Sequence, residues 1–332
     1  SDFFNVINSN SKRQMIIIEF GSGPAGQFSM PSLNINNKRQ NGYKLVIQAF
    51  KQALKDTDFS LGELAIVCDM ASDEIEATRY AATISEETKE HVWIVMLYDV
   101  AKYLNERIKL CISCFNHMAY KPCIYFSLKS KTVIFNNIIA YLAGGQNKIM
   151  VSKLFEVFNT EFSESGLAIH FSKTIYNISK YEISSYIEKM GGHAVIKAPY
   201  GYCGQGIYII TNSEELKEFF DANHHYKKFI VQSLVRSALW SKESCSEKFY
   251  HIGTMPNCHN QTFVNDLRMM VSADNTGFHP VNISLRRASE PLPTYLPNNS
   301  NWNPWKVFGT NVTSSSGMAG HEYERIITID QK

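Results

Sequence analysis

Lys197 ends the short apolar run Ala194–Lys197, and Gly201, Gly204 and Gly206 follow it before a second apolar run, Ile207–Ile210. Glycines let backbone N–H groups approach phosphate oxygens that side chains would block. A lysine beside them adds a compact positive charge. The segment therefore reads as strand, phosphate-covering flap and returning strand, with Tyr202, Cys203 and Gln205 inside the flap. It is not a Walker loop, because the lysine precedes the glycines and no Gly-Lys-Ser/Thr occurs. Further on, the run 228–235 (KFIVQSLV) reads as a strand whose end offers backbone groups to a planar ring, with Ile230 and Leu234 as apolar walls. Residues 266–271 (DLRMMV) project Asp266 and Arg268 to one face by the two-residue period of a strand. Arg286 and Arg287 close a return strand over 281–287. Such cations either meet the charge on a transferred phosphoryl group or form ordinary ion pairs at a strand edge.

Two other motifs invite chemistry. Residues 21–26 (GSGPAG) carry the glycine spacing of a dinucleotide turn after the apolar run 15–20. Pro31 and the polar stretch 34–41 argue against a helix opening there, and Asp69 stands too far downstream to hold a ribose. The remaining readings are a loop in which Gly23 faces a second substrate, and a structural turn. Cys111, Cys114, His117 and Cys123 include enough ligand types for tetrahedral zinc, but the apolar residues between them fit a packed face equally well.

The elements that must position these groups follow from periodicity. Apolar runs at 15–20, 63–68 and 92–98 read as strands, and 44–54 and 73–82 as helices, with 100–108 a candidate helix and 132–140 ambiguous. This alternation predicts a largely parallel sheet covered by helices. Residues 147–160 read as a helix carrying Lys148 and Lys153, and 179–190 as a helix stopped by Gly191-Gly192. Asn212 or Thr211 caps the next helix, and Thr211 with Glu214 fits a capping box.

In this order, VIKAPYGYCGQGIYII, SEELKEFF, FIVQSLV, DLRMMV and NISLRRA resemble the ATP-grasp superfamily over roughly residues 147–332. The resemblance implies an α/β protein: a small preceding α/β domain (13–145), a linker and first lobe (146–235), and a second lobe (236–332) that is C-terminally incomplete. It implies ATP and Mg2+, and a ligase that activates a carboxylate as an acyl-phosphate and joins it to an amine, releasing ADP and phosphate. By the same resemblance, Lys197 matches the phosphate-contacting lysine and Gly201, Gly204 and Gly206 the flap. Lys153 matches the earlier nucleotide lysine, with Lys148 its rival. Gln232 stands where an acid commonly begins the hinge, leaving Ser233, Leu234 and Val235 to meet adenine. Glu243 is a candidate for the ribose. Arg268, Arg286 and Arg287 resemble the arginines that contact phosphate or the acyl-phosphate. Asn311 and Ser315, in GTNVTSSSG, resemble the stretch that binds the carboxylate substrate.

One departure stands out. The superfamily's Glu-x-Asn metal pair is not evident after Gly317, where Glu322, Glu324 and Asp330 are the nearest carboxylates. The metal ligands thus stay unassigned. Either the chain stops short of them or it uses others, and a noncatalytic ATP-binding or regulatory module is the alternative function. A flavin or nicotinamide oxidoreductase built on residues 21–26 ranks behind both.

Composition narrows the rest. Across 332 residues, 44 % hydrophobic and 19 % charged residues predict a folded chain of about two domains. A formal net charge of +2 without a basic stripe disfavours nucleic-acid binding. No apolar run is long enough to span a membrane, and no secretory signal opens the sequence. Seven cysteines, an odd number in a chain of this size, suit a reduced, cytoplasmic protein. The expected partners are small-molecule carboxylate and amine substrates, with a homodimer the ordinary expectation for a soluble enzyme.

Overall fold

The computed structural model describes residues 2–21, 31–33, 39–41, 63–68, 74–96, 99, 108–113, 133–135, 147–200, 204, 206–237, 249–274, 276–297, 302–310 and 326–328. The chain divides into two compact units. The first comprises Ser1–Phe20, Asn147–Arg268 and Leu285–Ser314; the second comprises Gly21–Gln146, Met269–Ser284 and Ser315–Lys332.

The chain opens with an antiparallel hairpin of β1 (Asp2–Asn8) and β2 (Arg13–Glu19). The Asn8 side chain holds the turn by accepting from the N–H groups of Asn10 and Lys12. The apolar run 15–20 thus forms a strand, but not one of the parallel sheet that the alternation predicts. Asp2–Asn8 supplies an antiparallel partner from only a few residues upstream, and the pairing buries Val6 and Ile16.

The second unit contains the short pair β3 (Pro31–Leu33) and β4 (Arg39–Asn41) and a parallel sheet. That sheet consists of β5 (Glu63–Cys68), β6 (Val92–Met96), β7 (Ile108–Ser113) and β8 (Val133–Phe135), in the order β6-β5-β7-β8. All three ladders are parallel, as the alternation predicts. Leu64 to Cys68 are buried without a break, as expected of a central strand covered on both faces. The helix α1 (Glu74–Thr88) runs a turn and a half beyond its predicted end and buries Ala77, Tyr80, Ala81 and Ile84 at helical spacing. The ambiguous stretch 132–140 contains a strand, and Ile108, expected at a helix end, begins one. Residues 100–107 and the predicted helix 44–54 lie outside the described residues.

The first unit continues with α2 (Lys148–Glu161), β9 (Thr174–Ser179), α3 (Ile183–Lys189), β10 (Ala194–Lys197), β11 (Ile207–Ile210), α4 (Ser213–Asp221) and β12 (Lys228–Ser233). The strands form an antiparallel sheet in the order β11-β10-β12-β9. Asn147 caps α2 by accepting from the Met150 N–H. A short 3-10 turn over Lys180–Glu182 leads into α3, which stops at Gly191 (φ 80°) and Gly192 (φ 84°). The capping box of α4 sits one residue later than predicted. Asn212 accepts from the Glu215 N–H, and the Glu215 carboxylate accepts from the N–H groups of Asn212 and Thr211. Glu215 wins over Glu214 because it stands three residues after Asn212, which has the extended backbone of a cap.

Beyond β12 come β13 (Phe249–His251), β14 (Asn265–Asp274), β15 (Gly277–Arg287) and α5 (Pro304–Phe308). One edge of β1 carries β2; the other carries β13 along Val6–Asn8 and β14 along Asp2–Phe4. β14 and β15 are neighbours in the same sheet and have residues in both units, and β16 (Ile326–Thr328) follows β15. Among the described residues, no helix is long and apolar enough to cross a membrane.

Candidate functional site

Alternation along β10 decides where Lys197 points. Ala194 and Ile196 enter a core made with Ile183, Ile187, Phe219 and Val231 on the helix side of the sheet. Lys197 takes the other face, opposed across the ladders by Ile207 and Ile230. Its ammonium donates to the Ile18 carbonyl of β2 at 3.3 Å. Burial lowers the Lys197 pKa to about 8; Glu19 opposes this shift and Lys148 adds to it.

Of the two lysines on α2, Lys148 rather than Lys153 therefore meets Lys197. The Lys148 N–H donates to the Pro199 carbonyl at 3.1 Å, which ties the start of α2 to the chain just after β10. Its ammonium lies 4.0 Å from a Glu19 carboxylate oxygen. Burial lowers its pKa, against the pull of Glu19. Five helical residues later the direction has turned by roughly 140°, and Lys153 lies instead over the Tyr176 ring, 5.7 Å from its centre. Glu19, the acid at the centre of this group, carried no sequence signal, because β2 was legible only as an apolar run.

The flap leaves the sheet in a conformation that needs glycine. Gly204 (φ 79°) and Gly206 (φ 68°) are both left-handed. Gly206 accepts from the Ala198 N–H at 2.7 Å. A Cβ on Gly206 would come within 2.7 Å of the Ala198 Cβ. Gly206→Ala should therefore destabilise the first unit by about 1–2 kcal/mol from backbone conformation alone, with the close contact adding to it. Thermal unfolding checks this, and an unchanged midpoint would show that the flap is not held in this form. Gly201, Tyr202, Cys203 and Gln205 lie outside the described residues.

The hinge residues are anchored by packing and hydrogen bonds. The Ser233 N–H donates to the Lys173 carbonyl at 2.8 Å, and Gln232 Nε2 donates to Thr174 Oγ1 at 2.9 Å. Leu234 packs with Val264, Ala288 and Phe308, and Val235 with Val6 and Ile16. Trp302 and Trp305 pack against the Leu234 group, and Trp302 donates to Thr211 Oγ1 at 3.0 Å. Their role here is packing.

The arginines meet carboxylates. Arg268 binds Asp2 through two parallel hydrogen bonds of 2.8 Å, Nε to Oδ1 and Nη2 to Oδ2. Arg286 donates from Nε to Asp266 Oδ1 at 2.9 Å and from Nη2 to Asp2 Oδ2 at 2.7 Å, and also contacts Asp266 Oδ2. Thr310 completes the group by donating to Asp266 Oδ2 at 2.7 Å. Burial would raise the Asp2 carboxyl, but the charges of Arg268 and Arg286 hold it well below the usual carboxylate range. Arg286 is 3 % exposed, whereas 23 % of the Arg268 side chain reaches the surface. Arg287 lies apart, stacked 4.4 Å over the Phe263 ring. Asp2 is the partner that local pattern missed.

A separate groove of about 680 Å3 lies on the helix side of the sheet, with Glu188, His193, Ser213 and Arg236 in its lining. It does not involve Lys197. Among the described residues, no group of three or more His, Cys, Asp or Glu side chains could hold a metal ion. Cys114, His117 and Cys123 lie outside those residues, as do Gly23, Glu243, Asn311, Ser315, Glu322, Glu324 and Asp330.

No family model and no curated protein matches the sequence. The structure has similarity to solved structures. D-alanyl-alanine synthetase A from Vibrio cholerae is 13 % identical with a TM-score of 0.48, over 70 % of this chain and 68 % of that one. A glutathione synthetase-like effector from Globodera pallida is 8 % identical with a TM-score of 0.44, over 86 % and 67 %. A RimK domain ATP-grasp protein from Sphaerobacter thermophilus is 9 % identical with a TM-score of 0.36, over 66 % and 90 %.

Proposed function

We propose that the first unit binds ATP on the Lys197 face of its antiparallel sheet, and that the chain is an ATP-dependent carboxylate–amine ligase. The observation that carries this reading is the convergence of Lys148 and Lys197 beside a turn where Gly206 leaves no room for a side chain. Two ammonium groups drawn together at a cost in burial call for an anion with more than one negative charge. Backbone brought close by glycine suits phosphate oxygens. Ile207, half-buried beside Lys197, adds apolar surface of the kind a purine ring covers.

In this reading Lys148 and Lys197 bind and orient the phosphates, and the flap excludes water from them. ATP supplies a phosphoryl group to a substrate carboxylate, after which an amine displaces phosphate. Mg2+ belongs to the same chemistry. Because the described residues offer it no ligand group, no step is assigned to it.

The test is calorimetric titration with ATP, with and without Mg2+, followed by ADP release in the presence of paired carboxylates and amines, beginning with amino acids and dipeptides. Saturable ATP binding and ADP release that needs both partners are expected. A folded chain that takes up no ATP overturns the site. Binding without turnover on any pair leaves a noncatalytic nucleotide-binding module.

A further inference from the structure

The N-terminal hairpin delivers a carboxylate to each of the two cationic groups. Glu19, at the end of β2, faces Lys148 and also acts on Lys197. Asp2, at the start of β1, binds Arg268 and Arg286 together. These two acids are not independent: Asp2 and Glu19 are direct cross-strand partners. Opposed residues of an antiparallel pair lie roughly 4.5–5.5 Å apart at Cα, within the reach of a short polyphosphate. The ladder is irregular at this end, with a register shift between Asp2 and Phe3.

The contacts themselves are those of an oxyanion. One Asp2 oxygen accepts from both arginines, at 2.8 and 2.7 Å, while the other closes the fork with Arg268. Arg286 already has a carboxylate of its own in Asp266. Asp2 is therefore the acid that neutralises Arg268, whose side chain keeps a path to solvent.

We infer that the Asp2–Glu19 end of the hairpin is an internal substitute for a polyphosphate, and competes with the phosphates of a nucleotide for Lys148, Lys197 and Arg268. The inference rests on the ATP reading for its biological ligand, but not for its test. In the hairpin-docked state the cations are held in place and neutralised. An incoming polyphosphate must displace one or both carboxylates, so its affinity measures how firmly the hairpin end is docked.

The probe is inorganic tripolyphosphate, which has no adenine. Asp2→Asn and Glu19→Gln each remove one competing charge and should each tighten tripolyphosphate binding by about tenfold or more, the order expected when a charge-assisted competitor is lost. Adding Arg268→Gln to Asp2→Asn should abolish the gain. On the wild-type chain, hydrogen exchange at residues 2–4 should speed up as tripolyphosphate binds. This measurement stands even if a variant fails to fold. Folded variants with unchanged affinity, undiminished protection at residues 2–4 in the bound state, or no uptake by any of the chains overturns the inference. ATP binding lost in Lys197→Ala, beside unchanged tripolyphosphate binding in Asp2→Asn, would sink the hairpin inference and leave the nucleotide site standing. The converse result would sink only the nucleotide reading.

Discussion

Lys197→Ala weakens ATP binding by roughly ten- to a hundredfold, the equivalent of about 1.5–3 kcal/mol for a hydrogen bond to a charged group. Lys148→Ala does the same, while Lys153→Ala, whose ammonium lies over the Tyr176 ring, changes little. Calorimetry on the three variants reads the result directly, and equal losses in all three would dissolve the proposed pairing. The wild-type protein carries a second signature. Phosphate prefers the charged lysine, whereas burial has lowered the Lys197 pKa to about 8. ATP binding near that pH should therefore take up a proton, and affinity should fall as pH rises through and beyond it. Titrations in two buffers of different ionisation enthalpy measure the uptake, and Lys197→Ala should reduce it. Stability moves the other way. Between about pH 8 and the ordinary lysine pKa of 10.5 the unfolded chain binds more protons than the folded one. The Lys197 contribution to stability therefore grows as pH rises through that window, and is lost as pH falls through the folded value.

Arg286→Met destabilises the first unit by about 3–5 kcal/mol, because it leaves the carboxylates of Asp2 and Asp266 sharing a single arginine, Arg268. Asp266 is 1 % exposed, and burial already pushes its carboxyl up against the pull of Arg286. Adding Asp266→Leu to Arg286→Met should recover most of the loss, since the double variant removes both buried charges and leaves the Asp2–Arg268 fork intact. Urea unfolding of the two variants checks the pair. If Arg286→Met alone cost no more than a surface substitution, the buried network would not be a structural element. The arginine would then be open to a ligand in the way its sequence position first suggested.

Much of the local structure was legible because it depends on neighbours in sequence. Burial along β5 follows from an unbroken apolar run, and the stop after α3 follows from a glycine pair that accepts positive φ. The capping box falls one residue later than the pattern predicts, because Thr211 and Asn212 both have capping side chains. Only the backbone geometry at Asn212 decides between them. Lys197 and its glycines were identifiable as a unit, because alternation along one strand and the turn after it fixes where the lysine points.

What the sequence by itself determined is therefore several of the strands and helices, among them 63–68, 194–197, 207–210 and 228–233, a lysine on one face of a strand, and a turn that only glycine fits. The tertiary structure alone decided which α2 lysine joins Lys197, since Lys148 and Lys153 have the same chemistry and differ only in helical direction. It alone decided that Asp2 lies on Arg268 and Arg286, at the far end of the chain from both. Periodicity and turn chemistry act over a few residues and leave a readable pattern. Charge pairing across hundreds of residues depends on which strands close against one another, and no local pattern encodes that.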